Sequence, residues 1–315
     1  MNKMHMVRVW LTEDCNALCQ FCMNSSSRGK ARMSLDKFEL ICSYFHDNGF
    51  DKIAIMGGEP TIHPQFSEMM FTAQTYFECV YLFTNAIQSN RLLAYHPREK
   101  DSIIYNFHFT KYINENSLLL DESGERLLDV IVDYNSPVEE MLTDILAITK
   151  IAKNRTKVQL VLNNSSNIFK HKDLIVSNIN SLYKRLRNND VKVSFECAAP
   201  LCFTFGTDLP EHNHNTICPQ EAVLIDGSYN VRFCNLYSST LVNLFTGASQ
   251  DTIIPFQILR NYVTMESFRN KSLCLDKICK DCLYYGSVCN GKCHIGQEII
   301  NREDIVEHTL IPWLK

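Results

Sequence analysis

The sequence predicts an α/β protein whose first part is a partial (β/α)6 TIM-like barrel. Three observations lead there. Short β-branched and apolar runs alternate with stretches of helical apolar spacing from residue 6 to about 200. Helix-start and helix-stop residues bracket several of the helical stretches. About six such units fit before residue 200, fewer than the eight of a complete barrel, and alternation at this spacing implies βαβ units on a parallel sheet. Past residue 200 the alternation fades, which divides the chain into a barrel at 1–205 and a small cysteine-rich domain at 206–315.

Residues 6–12 alternate and are β-branched, which predicts a strand ending just before Cys15. Residues 35–47 carry apolar side chains at 35, 38, 41, 42 and 45, with Ser34 as N-cap and Gly49 as stop. A second strand, 52–56, runs into Gly57-Gly58-Glu59-Pro60. A helix follows Pro64 with apolar positions 66, 69, 70, 73 and 77, and a third strand at 79–83 ends at Thr84-Asn85. Residues 103–109 read as a fourth strand. Residues 111–135 read as an insertion with its own hairpin, with 128–133 as an alternative barrel strand. Ser136-Pro137-Val138-Glu139 has the form of a capping box before the stripe 138, 141, 142, 145, 148. Strands at 158–162 and 191–195 flank a helix at 174–186. No internal repeat or low-complexity segment stands out.

Composition excludes several classes. The chain has 315 residues, 45% of them hydrophobic and 21% charged, which are ordinary globular values. Lys plus Arg number 31 against 35 Asp plus Glu, a net charge of −4 that gives no electrostatic reason to expect nucleic-acid binding. Apolar runs such as 158–162 are far shorter than the roughly 18 residues of a membrane span. The N-terminus carries no apolar signal region. The expectation is a cytoplasmic protein that does not enter membranes.

Cysteine usage is the anomaly. There are 14, too few per residue for a disulfide scaffold, and in a reducing compartment clustered cysteines bind metal more often than they pair. Cys15, Cys19 and Cys22 lie in the loop after the first strand, and seven more fall between 218 and 293. Three thiolates in eight residues can ligate three irons of a 4Fe-4S cubane, leaving the fourth open. A zinc site completed elsewhere, or packed thiols, are the other readings. Gly57-Gly58-Glu59-Pro60 falls at the C-terminal end of the second strand, the face on which barrel sites form. Two glycines remove Cβ atoms and so permit close approach to the backbone. Glu59 can accept hydrogen bonds from a cationic amine.

The three-cysteine loop after strand one, with Gly-Gly-Glu-Pro after strand two, resembles the radical S-adenosylmethionine (SAM) superfamily over roughly residues 6–200. The resemblance implies that Cys15, Cys19 and Cys22 hold a 4Fe-4S cluster whose open iron binds the amino and carboxylate groups of SAM. It implies that Phe21 packs near the adenine and that Gly57, Gly58, Glu59 and Pro60 form the segment facing the methionine amine. It further implies reductive cleavage of SAM to a 5′-deoxyadenosyl radical that abstracts hydrogen from substrate. Asn85 and Asn163 lie at strand ends where the family uses polar groups toward ribose or carboxylate, with a turn-forming role as the alternative.

Other candidates carry less chemistry. His108 alternates with Asn106 and Thr110 on one strand face and either points into the barrel or is a structural histidine. Glu196 follows the last strand and either reaches substrate or lies at the surface. Cys197 and Cys202 flank Ala-Ala-Pro at the domain junction and could be core, ligand or substrate-facing. Cys42, on a helix stripe, and Cys79, at a strand start, read as small core residues.

The C-terminal set Cys218, Cys234, Cys274, Cys279, Cys282, Cys289 and Cys293 includes a C-x2-C-x6-C-x3-C run. By itself the run could be a short zinc ribbon. Downstream of a radical SAM barrel it resembles SPASM and twitch extensions, which bind auxiliary 4Fe-4S clusters. No cysteine follows Cys293, where the full SPASM pattern has another, so two complete clusters would need Cys274, Cys202 or a non-cysteine ligand. A twitch-like site would use Cys218, Cys234, Cys279 and Cys282. A SPASM-like arrangement would pair Cys218 and Cys234 with Cys293, leaving Cys279, Cys282 and Cys289 for a second cluster.

The expected function is radical modification of a ribosomally made peptide by cross-linking, epimerisation or oxidation. Oxidation or rearrangement of a small carbohydrate or nucleotide is the alternative. No leader-peptide domain precedes residue 6, which favours that alternative or a separate peptide-recognition protein. A noncatalytic zinc-binding interaction module is the reading of a different class. A flavodoxin- or ferredoxin-type protein would supply electrons.

Overall fold

A computed structural model describes residues 6–19, 22, 31–109, 124–152, 156–162, 170–195, 222–232, 240–246 and 252–271. Seven parallel strands follow the chain in order: β1 (Met6–Thr12), β2 (Lys52–Gly57), β3 (Cys79–Thr84), β4 (Ser102–Asn106), β5 (Glu125–Val132), β6 (Thr156–Leu162) and β7 (Lys192–Phe195). The connections carry α1 (Leu35–Asp47), α2 (Phe66–Tyr76), a short α3 (Ser89–Leu93), α4 (Val138–Ile151) and α5 (Lys172–Arg187). Beyond them come β8 (Ala222–Ile225), β9 (Asn230–Arg232), β10 (Val242–Asn243) and the two-stranded β11 (Phe245–Thr246) and β12 (Thr252–Ile253). The last described element is α6 (Phe256–Lys271). This is an α/β fold on a mostly parallel sheet.

The ten-stranded order is β10-β9-β8-β1-β2-β3-β4-β5-β6-β7. β8 lies parallel to β1, with Val7 opposite Val223 and Val9 opposite Ile225. The main sheet therefore runs across the expected boundary at 205. Among the described residues the ladder is open, with β10 and β7 as its edges.

Residues 128–132 lie in β5, which is central, so the alternative reading of 128–133 as a strand holds up to Val132 and adds a seventh parallel strand. Two other local expectations change. The fourth strand stops at Asn106, and Phe107–Phe109 form a 3-10 turn. His108 therefore does not alternate along a strand with Asn106. The Asn106 side-chain Oδ1 accepts from His108 N at 3.1 Å, which favours the turn over another strand residue. Ser136 does not cap α4: its hydroxyl accepts from Asp133 N at 2.8 Å. Pro137 takes the N-cap position without a side-chain bond. Ser34 does cap α1, accepting from Lys37 N at 3.4 Å, and Gly49 sits at φ +83° just past the helix.

The alternating strand pattern assigns the two faces of the sheet. Val7, Val9 and Leu11 of β1, with Ile53 and Ile55 of β2, join one core with Phe38, Ile41 and Phe45 of α1 and Met69 and Met70 of α2. Ile145 and Ile148 of α4, Ile179 and Leu182 of α5, and Leu259 of α6 extend the same core. The opposite face carries a smaller cluster of Trp10, Met56 and Leu224, with Phe83 against it. Cys42 is fully buried among the helix residues, and burial pushes its thiol well above the usual range. Cys79 is half-buried at the start of β3. Among the described residues no helix is long and apolar enough to cross a membrane.

Candidate functional site

The site is built where β1, β2 and β3 end. β1 continues into Glu13 and Asp14, and the start of β2's loop lies directly against them. Gly58 N donates to Thr12 O at 2.8 Å, and Glu59 N donates to Asp14 O at 2.8 Å. A Cβ on Gly58 would stand 1.9 Å from Asp14 O, and one on Gly57 2.3 Å from Thr12 O. Gly57 also holds φ +138°. The glycines are thus explained by two backbones packed together, rather than by space left for a ligand alone. This seam fixes the start of the cysteine loop. Its outer side is held by Glu13 N donating to Ala31 O at 2.9 Å and by an ion pair between Arg32 and Asp14.

Glu59 ties in the third strand. Its side chain is 1% exposed. Oε1 accepts from Thr61 N at 3.1 Å, Thr61 Oγ1 at 2.6 Å and Thr84 Oγ1 at 2.8 Å, and Oε2 accepts from Asn85 N at 2.7 Å. Burial pushes the Glu59 carboxyl up, while these four donors pull it back; the net direction is upward. Glu59 therefore clamps the β2 loop to the β3 corner, where Ala86 takes φ 58°. Thr61 and Thr84 were not among the sequence candidates. A Thr two residues after a buried Glu gives no signal until the fold is known.

The turn Pro60–Ile62 is pinned from two more sides. His63 is 3% exposed; its Nδ1 accepts from Gln65 N at 3.1 Å, so Nε2 carries the proton and donates to Met33 O at 3.0 Å. Burial holds His63 below the usual histidine range. Arg91 NH1 donates to His63 O at 2.6 Å and Thr61 O at 3.2 Å.

Cys15, Cys19 and Cys22 carry thiols outside any disulfide, each half-buried, and Cys22 N donates to Cys19 O at 3.2 Å. Asn85 faces this loop: Nδ2 donates to Asn16 Oδ1 at 2.8 Å and lies 4.0 Å from Cys15 Sγ. The fold thus brings Cys15, Gly57, Gly58, Glu59, Pro60 and Asn85 to one end of the sheet. Among the described residues, no three His, Cys, Asp or Glu side chains converge on a single metal-sized point. A cubane spreads its thiolates over separate irons, so the donor set of one three-thiol loop, opened toward the Asn85 amide, fits a cluster without such convergence. Phe21, Asn163, Glu196, Cys197 and Cys202 lie outside the described residues, as do Cys218, Cys234, Cys274, Cys279, Cys282, Cys289 and Cys293.

Comparison with known proteins agrees with this geometry. The sequence model described as Radical SAM superfamily matches residues 11–135. GTP 3′,8-cyclase of Shewanella denitrificans is 28% identical over 71 residues, 22% of this chain and 21% of that protein. Human molybdenum cofactor biosynthesis protein 1 is 32% identical over 93 residues, 28% of this chain and 15% of that protein. The matches thus span about a fifth or less of these curated relatives. Among solved structures, native anSMEcpe with bound AdoMet superposes with a TM-score of 0.63 at 16% identity, over 92% of this chain and 89% of that one. Streptococcus suis SuiB bound to S-adenosylmethionine gives 0.59 at 14% identity, over 92% and 73%. At these identities the structural matches speak for the fold.

Proposed function

We propose, from the match of residues 11–135 to the Radical SAM superfamily, that this protein is a radical SAM enzyme acting on a peptide. The observation that carries the reading is the seam at Gly58. It holds the three-cysteine loop, the Gly57–Pro60 turn and the Asn85 corner within hydrogen-bonding reach of one another.

Cys15, Cys19 and Cys22 would hold three irons of a 4Fe-4S cluster, with the fourth left for SAM. When bound, the reduced cluster and SAM together supply a carbon-centred radical able to take hydrogen from an unactivated C–H bond. The chain's own residues do the positioning. Glu59 holds Thr61, Thr84 and Asn85 in place, so that the backbone of Gly57–Glu59 and the Asn85 amide stay fixed beside the cysteine loop. Phe21 and Asn163 would complete the SAM contacts.

A peptide substrate is supported by the fold likeness to SuiB bound to precursor peptide SuiA and to anSMEcpe with a bound Kp18Cys peptide, each over 92% of this chain. A nucleotide is the second reading, favoured by the partial sequence match to GTP 3′,8-cyclases. The residues from 206 onward would add a cysteine-rich region with one or two auxiliary 4Fe-4S clusters, drawn from Cys218, Cys234, Cys279, Cys282, Cys289 and Cys293, with Cys274 or Cys202 filling a gap. A flavodoxin- or ferredoxin-type protein would deliver electrons.

The test is anaerobic reconstitution with iron and sulfide, followed by reduction in the presence of SAM. Release of 5′-deoxyadenosine by the parent, and its loss when Cys15, Cys19 and Cys22 are all replaced by Ala, would support the assignment. Some iron should persist in the triple variant, held by the C-terminal cysteines. Zinc in place of iron, with no cleavage by the parent under strong reductant, would refute it.

A further inference from the structure

Both ends of the cysteine loop are tied to β1. The loop leaves the strand at Thr12 and Glu13 and returns at Ala31, Arg32 and Met33. There Arg32 bridges Thr12, Glu13 N donates to Ala31 O at 2.9 Å, and Met33 N donates to Leu11 O at 2.9 Å. Cys15, Cys19 and Cys22 lie between the two ends. The returning end is also touched from outside, by the turn that joins β8 to β9. A Cβ on Gly227 would stand 3.1 Å from Ala31 O and 3.2 Å from Ala31 Cβ, so this turn packs directly on that end. Two residues on, the Tyr229 hydroxyl accepts from Ser34 N at 3.3 Å.

Tyr229 is the unexpected residue of the turn. Its φ is +66°, a left-handed conformation that suits Gly or Asn and is unfavourable for a bulky side chain. Three non-glycine residues among those described take positive φ, Ala86, Asp190 and Tyr229, and Tyr229 is the largest. Its backbone is held in place: Tyr229 N donates to Asp226 O at 2.9 Å, and Tyr229 O accepts from Leu244 N at 2.8 Å. A strained tyrosine where glycine would fit better points to a use for the side chain. Besides the hydroxyl on Ser34, the ring meets Phe245 edge-on at 5.2 Å, and Lys37 Nζ lies 4.4 Å from the centre of the Phe245 ring. Ser34 and Lys37 are the cap and first turn of α1, immediately after the returning end of the loop.

We infer that Tyr229 is a positioning residue for the cysteine loop, clamping its returning end from the second part of the chain. The inference rests on the proposed radical SAM reading and deepens it. The grip of Cys15, Cys19 and Cys22 on a cluster then depends on a side chain 195 positions from the Ser34 it holds.

The experiment takes two readings on the reconstituted full chain. Hydrogen exchange follows a peptide spanning residues 31–38, which contains the Ser34 N–H. Decay of the SAM-responsive electron paramagnetic resonance signal in the presence of an iron chelator follows the N-terminal cluster apart from any other. Losing one hydrogen bond of this kind opens its contact roughly three- to tenfold more often. Tyr229→Phe should therefore raise both the exchange of that peptide and the rate of signal decay by such a factor. Tyr229→Gly, which suits the backbone and removes the whole side chain, should raise both at least as far. Tyr44→Phe is the control, because the Tyr44 hydroxyl donates to Ile254 O at 3.0 Å and joins the same two parts of the chain toward the far end of α1. It should leave both readings at the parent's values. Tyr229→Phe behaving like Tyr44→Phe, or Tyr229→Gly behaving like the parent, would overturn the inference. A parent with no SAM-responsive signal counts against the enzyme reading, and the exchange comparison then decides whether Tyr229 holds the loop end. A SAM-responsive parent whose signal decays no faster in either Tyr229 variant counts against the clamp alone.

Discussion

Both oxygens of the Glu59 carboxylate accept hydrogen bonds, three at Oε1 and one at Oε2. Glu59→Gln keeps the shape and replaces one acceptor with an amide donor, which must then face either Asn85 N–H or Thr61 N–H. Leaving that buried donor unmatched should cost about 1–3 kcal/mol, read as a lower urea midpoint at unchanged slope. His63 gives a pH signature. Its folded-state pKa lies below the usual value, so the stability it contributes is complete above about pH 6.5 and falls as pH drops through the folded-state value. Protonating Nδ1 would remove the acceptor of Gln65 N–H. Between about pH 7.5 and 5.5 the parent should therefore lose more stability than His63→Gln, which keeps a donor and an acceptor without titrating. Equal losses in denaturant titrations at the two pH values would show that His63 does not titrate in this window. Glu59 runs the other way. Its raised carboxyl contributes stability below about pH 4.3 that fades as pH rises through the folded-state value, so the comparison must be between variants and not along one curve.

The turn after β2 is the element on which the site depends. A Cβ at Gly58 would meet the backbone of Asp14, which cannot rotate away as a side chain would. Gly58→Ala should therefore displace the start of the cysteine loop and cost about 2–4 kcal/mol, at the upper end of overpacking losses. Gly49→Ala is the control. It has open space around the added carbon but φ +83°, so it should cost about 1–2 kcal/mol and leave iron uptake intact. Iron per chain after reconstitution, measured for both, separates loop displacement from general weakening. Comparable iron in the two variants would mean that the Gly58 seam does not position the cysteines. The contrast between Ser34 and Ser136 belongs at this scale too. Both precede helices with cap-like spacing, yet the Ser136 hydroxyl turns back to accept from the Asp133 backbone N–H, while the Ser34 hydroxyl accepts from its own helix.

At the scale of the whole molecule, β8 and β9 reach back from the second part of the chain to finish the sheet beside β1. Asp226, fully buried after β8, accepts from Ser228 N, Asn230 N and Arg232 Nε, each at 2.9 Å. Arg232 in turn lies 5.3 Å from the centre of the Trp10 ring. Cutting the chain after residue 205 would strip the second edge of β1 and uncover Trp10. Such a fragment should associate through the exposed edge and bind a hydrophobic dye. A monomeric fragment with native-like stability on size exclusion and in denaturant would show instead that residues 6–205 fold alone.

The βα alternation, the Ser34 cap and the grouping of the cysteine loop with Gly-Gly-Glu-Pro were legible in the sequence, because helical period, strand period and turn chemistry are written in near neighbours. The same holds for the superfamily that residues 11–135 match. Register and long-range pairing are not written locally. Residues 125–132 form a central strand because β4 and β6 pair with them on either side. β8 joins β1 across more than 200 positions of chain. The reason for two consecutive glycines and the inward turn of Glu59 onto Thr61 and Thr84 both depend on which strands lie side by side. The sequence determined which residue types were available for chemistry at each strand end, and only the tertiary structure decided which of them meet, since hydrogen-bond partners and steric contacts are set by distance in space rather than along the chain.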